Sequence, residues 1–242
     1  MCEEFFMKNI LICGASKNLG YYFFKNLQKD YLIYLFSRNK IKFKNYIKTD
    51  LSKSKLSDSA FKKLRNKISK IDAIIFCIGD SKKNYNKLPD TKNFISSLNS
   101  NFFPLVNLIN SYLKNFEKKQ TQIIVISSIA GIKNINAPIT YSVSKNALNF
   151  YSSIMAKELS KYKIRLNVIS PGNILMNKNN WHKKLKKNKE KTMSYIYRNV
   201  PSKKFCDPID FLNVCKLLIE TDNNFVGSNI VIDGGQILEK KK

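Results

Sequence analysis

The sequence is poor in the residues that build metal sites, disulfide frameworks and membrane spans. Its 242 residues include one histidine, His182, which argues against a histidine-rich metal site or a Ser-His-Asp triad. The five cysteines form no C-x-x-C pair, and their odd number favours reduced thiols. No run of about eighteen apolar residues occurs, so no transmembrane helix is expected. Since the N-terminus also lacks the features of a secretory signal, we expect a cytoplasmic protein without a metal.

Acidic residues are also scarce. The 17 Asp and Glu stand against 43 Lys and Arg, which gives a net charge of +26. Such an excess can indicate affinity for nucleic acid, a membrane surface or an acidic protein. It can also reflect a coding bias, because Lys, Asn, Ile, Phe and Tyr are abundant together while glycine and proline number only 8 and 6. The lysines are spread along the chain, which favours a solvated surface, and we predict no specific nucleic-acid or membrane partner.

Apolar runs alternate with stretches of helical periodicity along the chain. Strands that alternate with helices and are apolar on both faces are typical of a parallel sheet with helical crossovers. We therefore predict a single α/β domain over 1–242, a Rossmann-like doubly wound parallel sheet of about seven strands with helices on both faces. The predicted strands span 8–13, 31–36, 45–49, 72–78, 122–127, 164–169 and 229–232. The predicted helices span 18–29, 58–69, 91–117, 140–162 and 208–220.

A serine, a tyrosine and a lysine stand in an arrangement suited to proton transfer. Ser128 follows an apolar strand, and Tyr141 begins a helix. Lys145 lies four residues further along, on the same helix face as Tyr141. An ammonium beside a phenol is expected to lower the pKa of the phenol and make it a usable proton donor and acceptor. The other pair with this spacing, Tyr21 and Lys25, follows no such serine and is predicted to be a surface pair.

The first strand runs into the segment CGASKNLG, with Gly14 at the strand end and Gly20 inside the next helix. Glycines at these points let the backbone turn tightly and approach a pyrophosphate, whose charge the helix N-terminus favours. A plain strand–helix turn is the alternative interpretation. The second strand ends without an acidic residue, and Arg38 follows it. Arg38 offers a planar fork for a 2′-phosphate and Lys17 can reach the same group, so charge favours NADP(H) over NAD(H).

On these motifs, the chain resembles the short-chain dehydrogenase/reductase family over nearly its whole length. The Thr-Gly-x-x-x-Gly-x-Gly loop of the family matches at Gly14 and Gly20, and its Tyr-x-x-x-Lys matches at Tyr141 and Lys145. The further matches, in chain order, are Asp50-Leu51, Gly79, Asn101, Ser128, Pro171-Gly172 and the terminal Asp233-Gly234-Gly235.

The chain departs from the family pattern at several places. Cys13 replaces the usual threonine, and Asn18 replaces the middle glycine of the loop. Asparagine tolerates a left-handed backbone better than most residues, so the loop is expected to keep its turn. The Asn-Asn-Ala-Gly of the family appears as FCIG over 76–79, and Met176 stands where a threonine often meets the nicotinamide amide. These departures keep open a degenerate family member that binds nucleotide without turnover.

The resemblance implies that Tyr141 protonates a substrate carbonyl as NADPH delivers hydride, or takes the proton in reverse. Lys145 would lower the Tyr141 pKa and bind the nicotinamide ribose. Ser128 would hydrogen-bond the carbonyl oxygen, and Asn101 would hold a water that connects Lys145 to solvent. The implied catalytic set is Asn101, Ser128, Tyr141 and Lys145. The implied cofactor-binding set is Gly14, Ser16, Lys17, Asn18, Leu19, Gly20, Arg38, Asp50, Leu51, Gly79, Tyr141, Lys145, Pro171, Gly172 and Ile174.

In this family the segment 173–200 would form a lid over the substrate. Its lysines could attract an anionic substrate, such as an acyl-carrier-protein arm, a coenzyme A thioester or a nucleotide sugar, or they could form a solvated helix face. The 3-oxoacyl-carrier-protein reductases and the sugar or polyol dehydrogenases are most similar in size and C-terminal ending, and the former are slightly favoured. The helices predicted over 91–117 and 140–162 have wide apolar faces that the family pairs between subunits, so we expect a homodimer or homotetramer.

Overall fold

The computed structural model describes residues 7–81, 88–220 and 224–238, so Cys2 and the two ends of the predicted domain lie outside the described residues. Strands and helices alternate along the chain. The strands are β1 (Asn9–Cys13), β2 (Leu32–Ser37), β3 (Tyr46–Lys48), β4 (Ala73–Phe76), β5 (Thr121–Ile126), β6 (Ile164–Pro171) and β7 (Asn229–Ile232). The helices are α1 (Asn18–Leu27), α2 (Ser54–Arg65), α3 (Thr91–Asn101), α4 (Phe103–Asn115), α5 (Ile139–Ser160), α6 (Asn180–Lys187), α7 (Lys189–Asn199) and α8 (Pro208–Glu220).

The strands form one parallel sheet in the order β3-β2-β1-β4-β5-β6-β7. Leu11 of β1 pairs with Tyr34 of β2 on one side and with Ile74 of β4 on the other, so the first strand lies inside the sheet. β2 and β3 lie on one side of β1, whereas β4 to β7 lie on the other, so the order of the strands reverses between β1 and β4. In doubly wound sheets, ligands bind outside the carboxyl ends of the strands at such a reversal. The predicted fold class is confirmed, and the site is expected at this edge.

Helices cover both faces of the sheet, which is why its strands are apolar throughout. Successive residues of β1 point to opposite faces, so Leu11 and Cys13 belong to one apolar cluster while Ile10 and Ile12 belong to the other. Residues of α2, α4 and α5 complete the first cluster, and residues of α1 and α8 complete the second. The layered core therefore fixes the strand ends relative to the helices that follow them.

The predicted strand boundaries agree with the structure to within two residues at each end. Two helix predictions need correction. Helix α2 begins at Ser54 and ends at Arg65, each four residues before the predicted boundary, because its first turn, SKLS, holds a single apolar residue and so shows no helical periodicity. The single helix predicted over 91–117 is wrong, because the chain breaks at Phe102 between α3 and α4. Pro104 lacks a backbone N–H and therefore suits the first turn of a new helix rather than the middle of a long one.

The segment predicted as a lid, 173–200, holds α6 and α7. Asn179 caps α6 by accepting from the backbone N–H of His182 at 2.9 Å, and Asn188 caps α7 by accepting from Lys191 at 2.8 Å. Within the ranges that the structure describes, no helix is both long and apolar enough to cross a bilayer.

Candidate active site

The loop after β1 depends on two positions that carry no side chain. Gly14 has a φ of +88°, and a Cβ there would lie 2.9 Å from the carbonyl oxygen of Cys77. A Cβ on Gly20 would lie 2.5 Å from the carbonyl oxygen of Gly14, so α1 packs directly against the loop. Side chains at either glycine would fill the space between the loop, β4 and α1. This narrow backbone turn at a helix N-terminus fits the pyrophosphate of a dinucleotide.

Asn18 adopts a φ of +50° at the position where the family pattern has a glycine. The turn is thus preserved despite the substitution, as expected from the tolerance of asparagine for this region. Lys17 and Asn18 are exposed, Ser16 is partly exposed, and Leu19 is buried beneath them. The loop therefore presents polar groups to solvent and an apolar anchor to the core.

Arg38 follows the end of β2 at Ser37 and is exposed, as is Lys17 in the glycine loop. The sequence reasoning missed Asn39, whose side-chain amide lies 3.5 Å from the hydroxyl of Ser16. This contact joins the loop after β2 to the glycine loop, so both loops belong to one surface. The only sequence signal for Asn39 is a polar residue close after a strand that precedes the reversal.

The turn after β3 is held by its own polar groups. The Asp50 carboxylate accepts from the backbone N–H of Ser52 at 3.0 Å. Leu51 is buried, and its carbonyl oxygen accepts from the Asn107 side chain of α4 at 2.8 Å. Asp50 and Leu51 therefore occupy a fixed turn at the same edge of the sheet as the glycine loop.

Ser128 and Tyr141 come together although 13 positions separate them. Ser128 follows β5 and caps a short 3₁₀ turn, Ile129–Gly131, by accepting from the backbone N–H of Ala130 at 3.1 Å. Tyr141 lies in the first turn of α5, and its hydroxyl hydrogen-bonds Ser128. A Cβ on Gly131 would lie 2.5 Å from the backbone of Lys145, so the 3₁₀ turn packs tightly against α5. This close packing holds the hydroxyls of Ser128 and Tyr141 within hydrogen-bonding distance of each other.

The net shift of the Tyr141 pKa is upward, opposite to the direction expected from an ammonium beside the phenol. Burial raises the pKa of Tyr141 above its ordinary value, and this effect outweighs the hydrogen bond from Ser128, which lowers it. The nearby Asp80 carboxylate raises the pKa further. The ammonium of Lys145 lies 5.9 Å from the centre of the Tyr141 ring. The phenol is therefore protonated at neutral pH, which suits a proton donor.

Lys145 belongs to α5, and its buried ammonium lies beside the end of β5. The residue is 2% exposed, and its Nζ donates to the carbonyl oxygen of Ile126 at 3.2 Å. Burial lowers the pKa of Lys145 to about 8, and the neighbouring Cys77 thiol opposes this shift. A Cβ on Gly79 would lie 3.1 Å from Lys145 Nζ and 3.2 Å from Asn101 Oδ1. The lysine and the asparagine thus converge on the backbone that follows β4.

Asn101 is fully buried at the C-terminal end of α3. Its Oδ1 accepts from the backbone N–H of Asp80 at 2.8 Å, and its Nδ2 donates to the Asp80 carbonyl oxygen at 3.1 Å. The same Nδ2 donates to the Ser97 carbonyl oxygen at 2.9 Å. The structure therefore brings Asn101, Ser128, Tyr141 and Lys145 to one place. Sequence reasoning missed Asp80 and Ser97, because neither has a motif of its own.

The end of β6 supplies the remaining predicted residues. Pro171 ends the strand, and the N–H of Gly172 donates to the Ile232 carbonyl oxygen at 2.9 Å. A Cβ on Gly172 would lie 2.7 Å from the Cα of Asp233, so only glycine fits there. Ile174 forms an isolated parallel bridge with Cys206. These contacts start the segment that leads into α6 on the carboxyl side of the sheet.

Helices α6 and α7 are held together by aromatic side chains. The ring of Trp181 lies 5.4 Å from that of Tyr195 and 5.5 Å from that of Phe205. The Asn180 side chain donates to the hydroxyl of Ser81 at 3.1 Å, which ties α6 to the loop after β4. The segment 173–200 thus spans from β6 to the loop that holds Gly79 and Asp80.

Comparison with known proteins identifies the class to which this fold and site belong. The family model described as enoyl-(acyl carrier protein) reductase matches residues 37–236, and the chain belongs to the short-chain dehydrogenase/reductase family of oxidoreductases. The chain is 27% identical over 187 residues to a 3-oxoacyl-[acyl-carrier-protein] reductase of Bos taurus, covering 77% of this chain and 75% of that protein. It is 28% identical over 235 residues to carbonyl reductase family member 4 of Xenopus laevis, covering 93% and 95%.

A solved structure confirms the architecture. ElxO, solved with NADP bound, has a TM-score of 0.85 to this chain at 24% identity, covering 97% of this chain and 100% of that one. The similarity extends over the sheet and its flanking helices, so the predicted doubly wound fold is confirmed.

Proposed function

We propose that this chain is an NADP(H)-dependent oxidoreductase that transfers a hydride between nicotinamide and a carbonyl or hydroxyl substrate, with a 3-oxoacyl thioester as the first candidate. The observation that carries this proposal is the convergence of Asn101, Ser128, Tyr141 and Lys145 at the edge where β1, β4 and β5 end. In the described part of the chain, Lys145 Nζ has a backbone carbonyl as its partner rather than a carboxylate. A charge buried in this way is destabilising, so a purely structural role does not account for it.

Each side chain has a defined task in this proposal. The bound nicotinamide would supply or accept the hydride. In the reductive direction the Tyr141 hydroxyl gives its proton to the substrate carbonyl oxygen, and in the oxidative direction the phenolate takes it back. Ser128 donates a hydrogen bond to the same oxygen and fixes the reacting geometry. The charged Lys145 stabilises the phenolate that remains, and Asn101 Oδ1 beside Nζ can hold a water that returns the proton.

The residues proposed to bind the cofactor line the edge of the sheet at which the strands end. The glycine loop, 14–20, would hold the pyrophosphate, since side chains at Gly14 or Gly20 would fill its place. Asp50 and Leu51 would lie against the adenine. The nicotinamide end would contact Gly79, Pro171, Gly172 and Ile174, with Lys145 reaching the ribose hydroxyls. The free cysteines at described positions support a reducing, cytoplasmic location, which we also propose.

The preference for NADP(H) rests on charge beside the end of β2. Arg38 and Lys17 are exposed there, and no acidic residue follows the strand. We expect Arg38→Asp to shift the ratio of kcat/KM for NADPH over NADH toward NADH by at least about tenfold, because a carboxylate repels a 2′-phosphate. Steady-state kinetics with both cofactors measure this ratio. Lys40→Asp makes the same charge change two residues away and serves as the control; equal effects of the two variants would contradict a specific role for Arg38.

Two relatives support a carbonyl substrate. The similarity to a 3-oxoacyl-carrier-protein reductase and to a carbonyl reductase favours reduction of a ketone or thioester-linked ketone. A sugar or polyol substrate is the alternative, and a degenerate nucleotide-binding family member is a further one. We propose that 173–200 forms the substrate lid, because α6 contacts the loop after β4 through Asn180 and Ser81.

The proposed function is tested by Tyr141→Phe. We expect the wild-type protein to oxidise NADPH with at least one member of a panel of ketones, 3-oxoacyl thioesters and ketoses. The variant should lose turnover by about a hundredfold to ten-thousandfold while it still binds NADPH, because general acid catalysis is removed. Tyr151→Phe on the same helix is the matched control, since Tyr151 packs against Phe102 rather than lying at the site. Nucleotide binding without turnover on any panel member would favour the degenerate alternative, and full activity of Tyr141→Phe would contradict the proposed site.

We also propose a homodimer or homotetramer. Four apolar residues on the outer face of α5 are strongly exposed in the single chain: Ile139 (45%), Val143 (45%), Phe150 (67%) and Ile154 (51%). Phe103 at the start of α4 is also exposed, at 39%. An apolar helical face of this kind is typical of a contact between subunits.

A further inference from the structure

Helix α3 carries Asn101 but has little apolar anchorage of its own. Asn101 is the one buried residue among the described residues of this helix. Ile95, which an ordinary amphipathic helix would bury, is 52% exposed. Phe94 and Leu98 are only partly buried, so polar contacts add to a limited hydrophobic burial in fixing the position of α3. The contacts that matter are those that join α3 to α5, the helix that carries Tyr141 and Lys145.

Those contacts run through two serine hydroxyls. Ser97 Oγ lies 2.9 Å from the carbonyl oxygen of Thr140 and 3.1 Å from Ser144 Oγ. Ser144 Oγ donates to the carbonyl oxygen of Tyr141 at 2.8 Å. On the other side, Asn101 Nδ2 lies 3.3 Å from Ser97 Oγ. An unbroken chain of polar atoms therefore joins the Asn101 side chain to the backbone of Tyr141.

The number of hydroxyl protons limits which of these hydrogen bonds can form at the same time. Each serine has one hydroxyl proton, so the two protons serve three oxygen–oxygen contacts. Ser97 can donate to Ser144 while Ser144 donates to the Tyr141 carbonyl, or Ser97 can donate to the Thr140 carbonyl instead. Asn101 Nδ2 likewise has two hydrogens for three acceptors, the carbonyl oxygens of Asp80 and Ser97 and Ser97 Oγ, so the contact with Ser97 Oγ at 3.3 Å shares a hydrogen with one of the carbonyl bonds. In both serine arrangements Ser97 Oγ donates one hydrogen bond to α5 and is free to accept this shared bond. The tie therefore does not depend on which proton arrangement is present.

We propose that Ser97 is a positioning residue which, with Ser144, fixes Asn101 relative to Tyr141 and Lys145, an inference that rests on the proposed function. The hydroxyl of Ser97 contacts α5 and Asn101, so in this proposal it acts without contact with substrate or cofactor. Its effect passes through Asn101, whose Oδ1 must stay beside Lys145 Nζ for a water to be held between them. A displacement of about 1 Å in such a group is enough to slow a reaction by up to about a hundredfold.

The experiment compares Ser97→Ala with Ser97→Thr and Ser100→Ala. Ser97→Ala is expected to lower kcat by about tenfold to a hundredfold, because Asn101 loses its alignment, while the KM for NADPH changes by less than about threefold. Ser97→Thr keeps the hydroxyl and is expected to restore most of the lost kcat. Ser100→Ala is the matched control, because its hydroxyl bonds within α3 to the Ser96 carbonyl oxygen; this variant should retain wild-type kinetics.

A second measurement does not need turnover. The backbone N–H of Asp80 donates to Asn101 Oδ1, so its hydrogen exchange reports where Asn101 lies. We expect exchange at Asp80 to be about tenfold faster in Ser97→Ala and unchanged in Ser100→Ala. Ser144→Ala removes only the bridge to the Tyr141 carbonyl and should give the same changes to a smaller extent, which provides a variant if Ser97→Ala does not fold.

The outcomes separate this proposal from the proposed function. If Tyr141→Phe abolishes turnover but Ser97→Ala changes neither kcat nor exchange at Asp80, the positioning role is wrong and the function stands. If the wild-type protein turns over no substrate, the proposed function fails and exchange at Asp80 alone decides whether Ser97 holds Asn101. Equal losses in Ser97→Ala and Ser100→Ala would indicate general damage to α3 and would also overturn the proposal.

Discussion

Lys145 is buried with a backbone carbonyl as its partner, and this one residue combines a chemical task with a stability cost. Its pKa falls from 10.5 to about 8 on folding, so between these values the unfolded chain binds the proton and the folded chain does not. Stability therefore rises as the pH increases through this window, and the full cost is present below it. We expect Lys145→Met to raise the free energy of unfolding by about 2 kcal/mol at about pH 7, with the gain shrinking at about pH 10.

Denaturant unfolding of the two proteins at both pH values measures this difference. Lys157→Met, an exposed position on the same helix, controls for the change in total charge and should leave stability nearly unchanged. A Lys145→Met variant less stable than wild type at about pH 7 would contradict the view that the buried charge is destabilising.

The spacing of Tyr141 and Lys145 alone does not single them out, since Tyr21 and Lys25 share it. The prediction that they meet Ser128 rests on the apolar strand that ends before the serine and on the resemblance to the family. The direction of the Tyr141 pKa was not predictable in the same way. Helical spacing places two side chains on one face, but the balance between desolvation and attraction depends on burial by the rest of the fold. The hydrogen bond between Ser97 and Ser144 could not be predicted for a related reason, because it joins residues 47 positions apart that meet only in the folded chain.

Among the elements, strands were predicted more accurately than helices. A buried parallel strand is a short apolar run bounded by polar or glycine residues, so both of its ends are visible in the sequence. The break between α3 and α4 was missed because one non-helical residue, Phe102, barely disturbs the apolar periodicity on either side. Pro104 was the available signal. The pair α6 and α7 was recognised only as a lid segment, because its lysines dilute the apolar pattern and its aromatic contacts are not local.

For the whole molecule, the exposed face of α5 predicts self-association. We expect light scattering coupled to size-exclusion chromatography to show a dimer or tetramer, and Phe150→Asp to reduce the mass, because a carboxylate cannot be buried in an apolar contact without a partner. Leu56→Asp is the matched control, since Leu56 on α2 is 50% exposed but lies on a different helix. A monomeric wild-type protein would exclude the proposed assembly, and an unchanged mass in Phe150→Asp would place the interface elsewhere.

The order of strands in the sheet has a consequence for how the protein is made. β2 pairs with β1, β3 with β2, β4 again with β1, and each later strand with the one before it. Every strand after the first therefore finds its neighbour already synthesised when it leaves the ribosome. The sheet can therefore assemble outward from β1 as the chain is synthesised. The second edge of β1 waits for β4, and that of β6 waits for β7, so these two edges are exposed longest in the nascent chain.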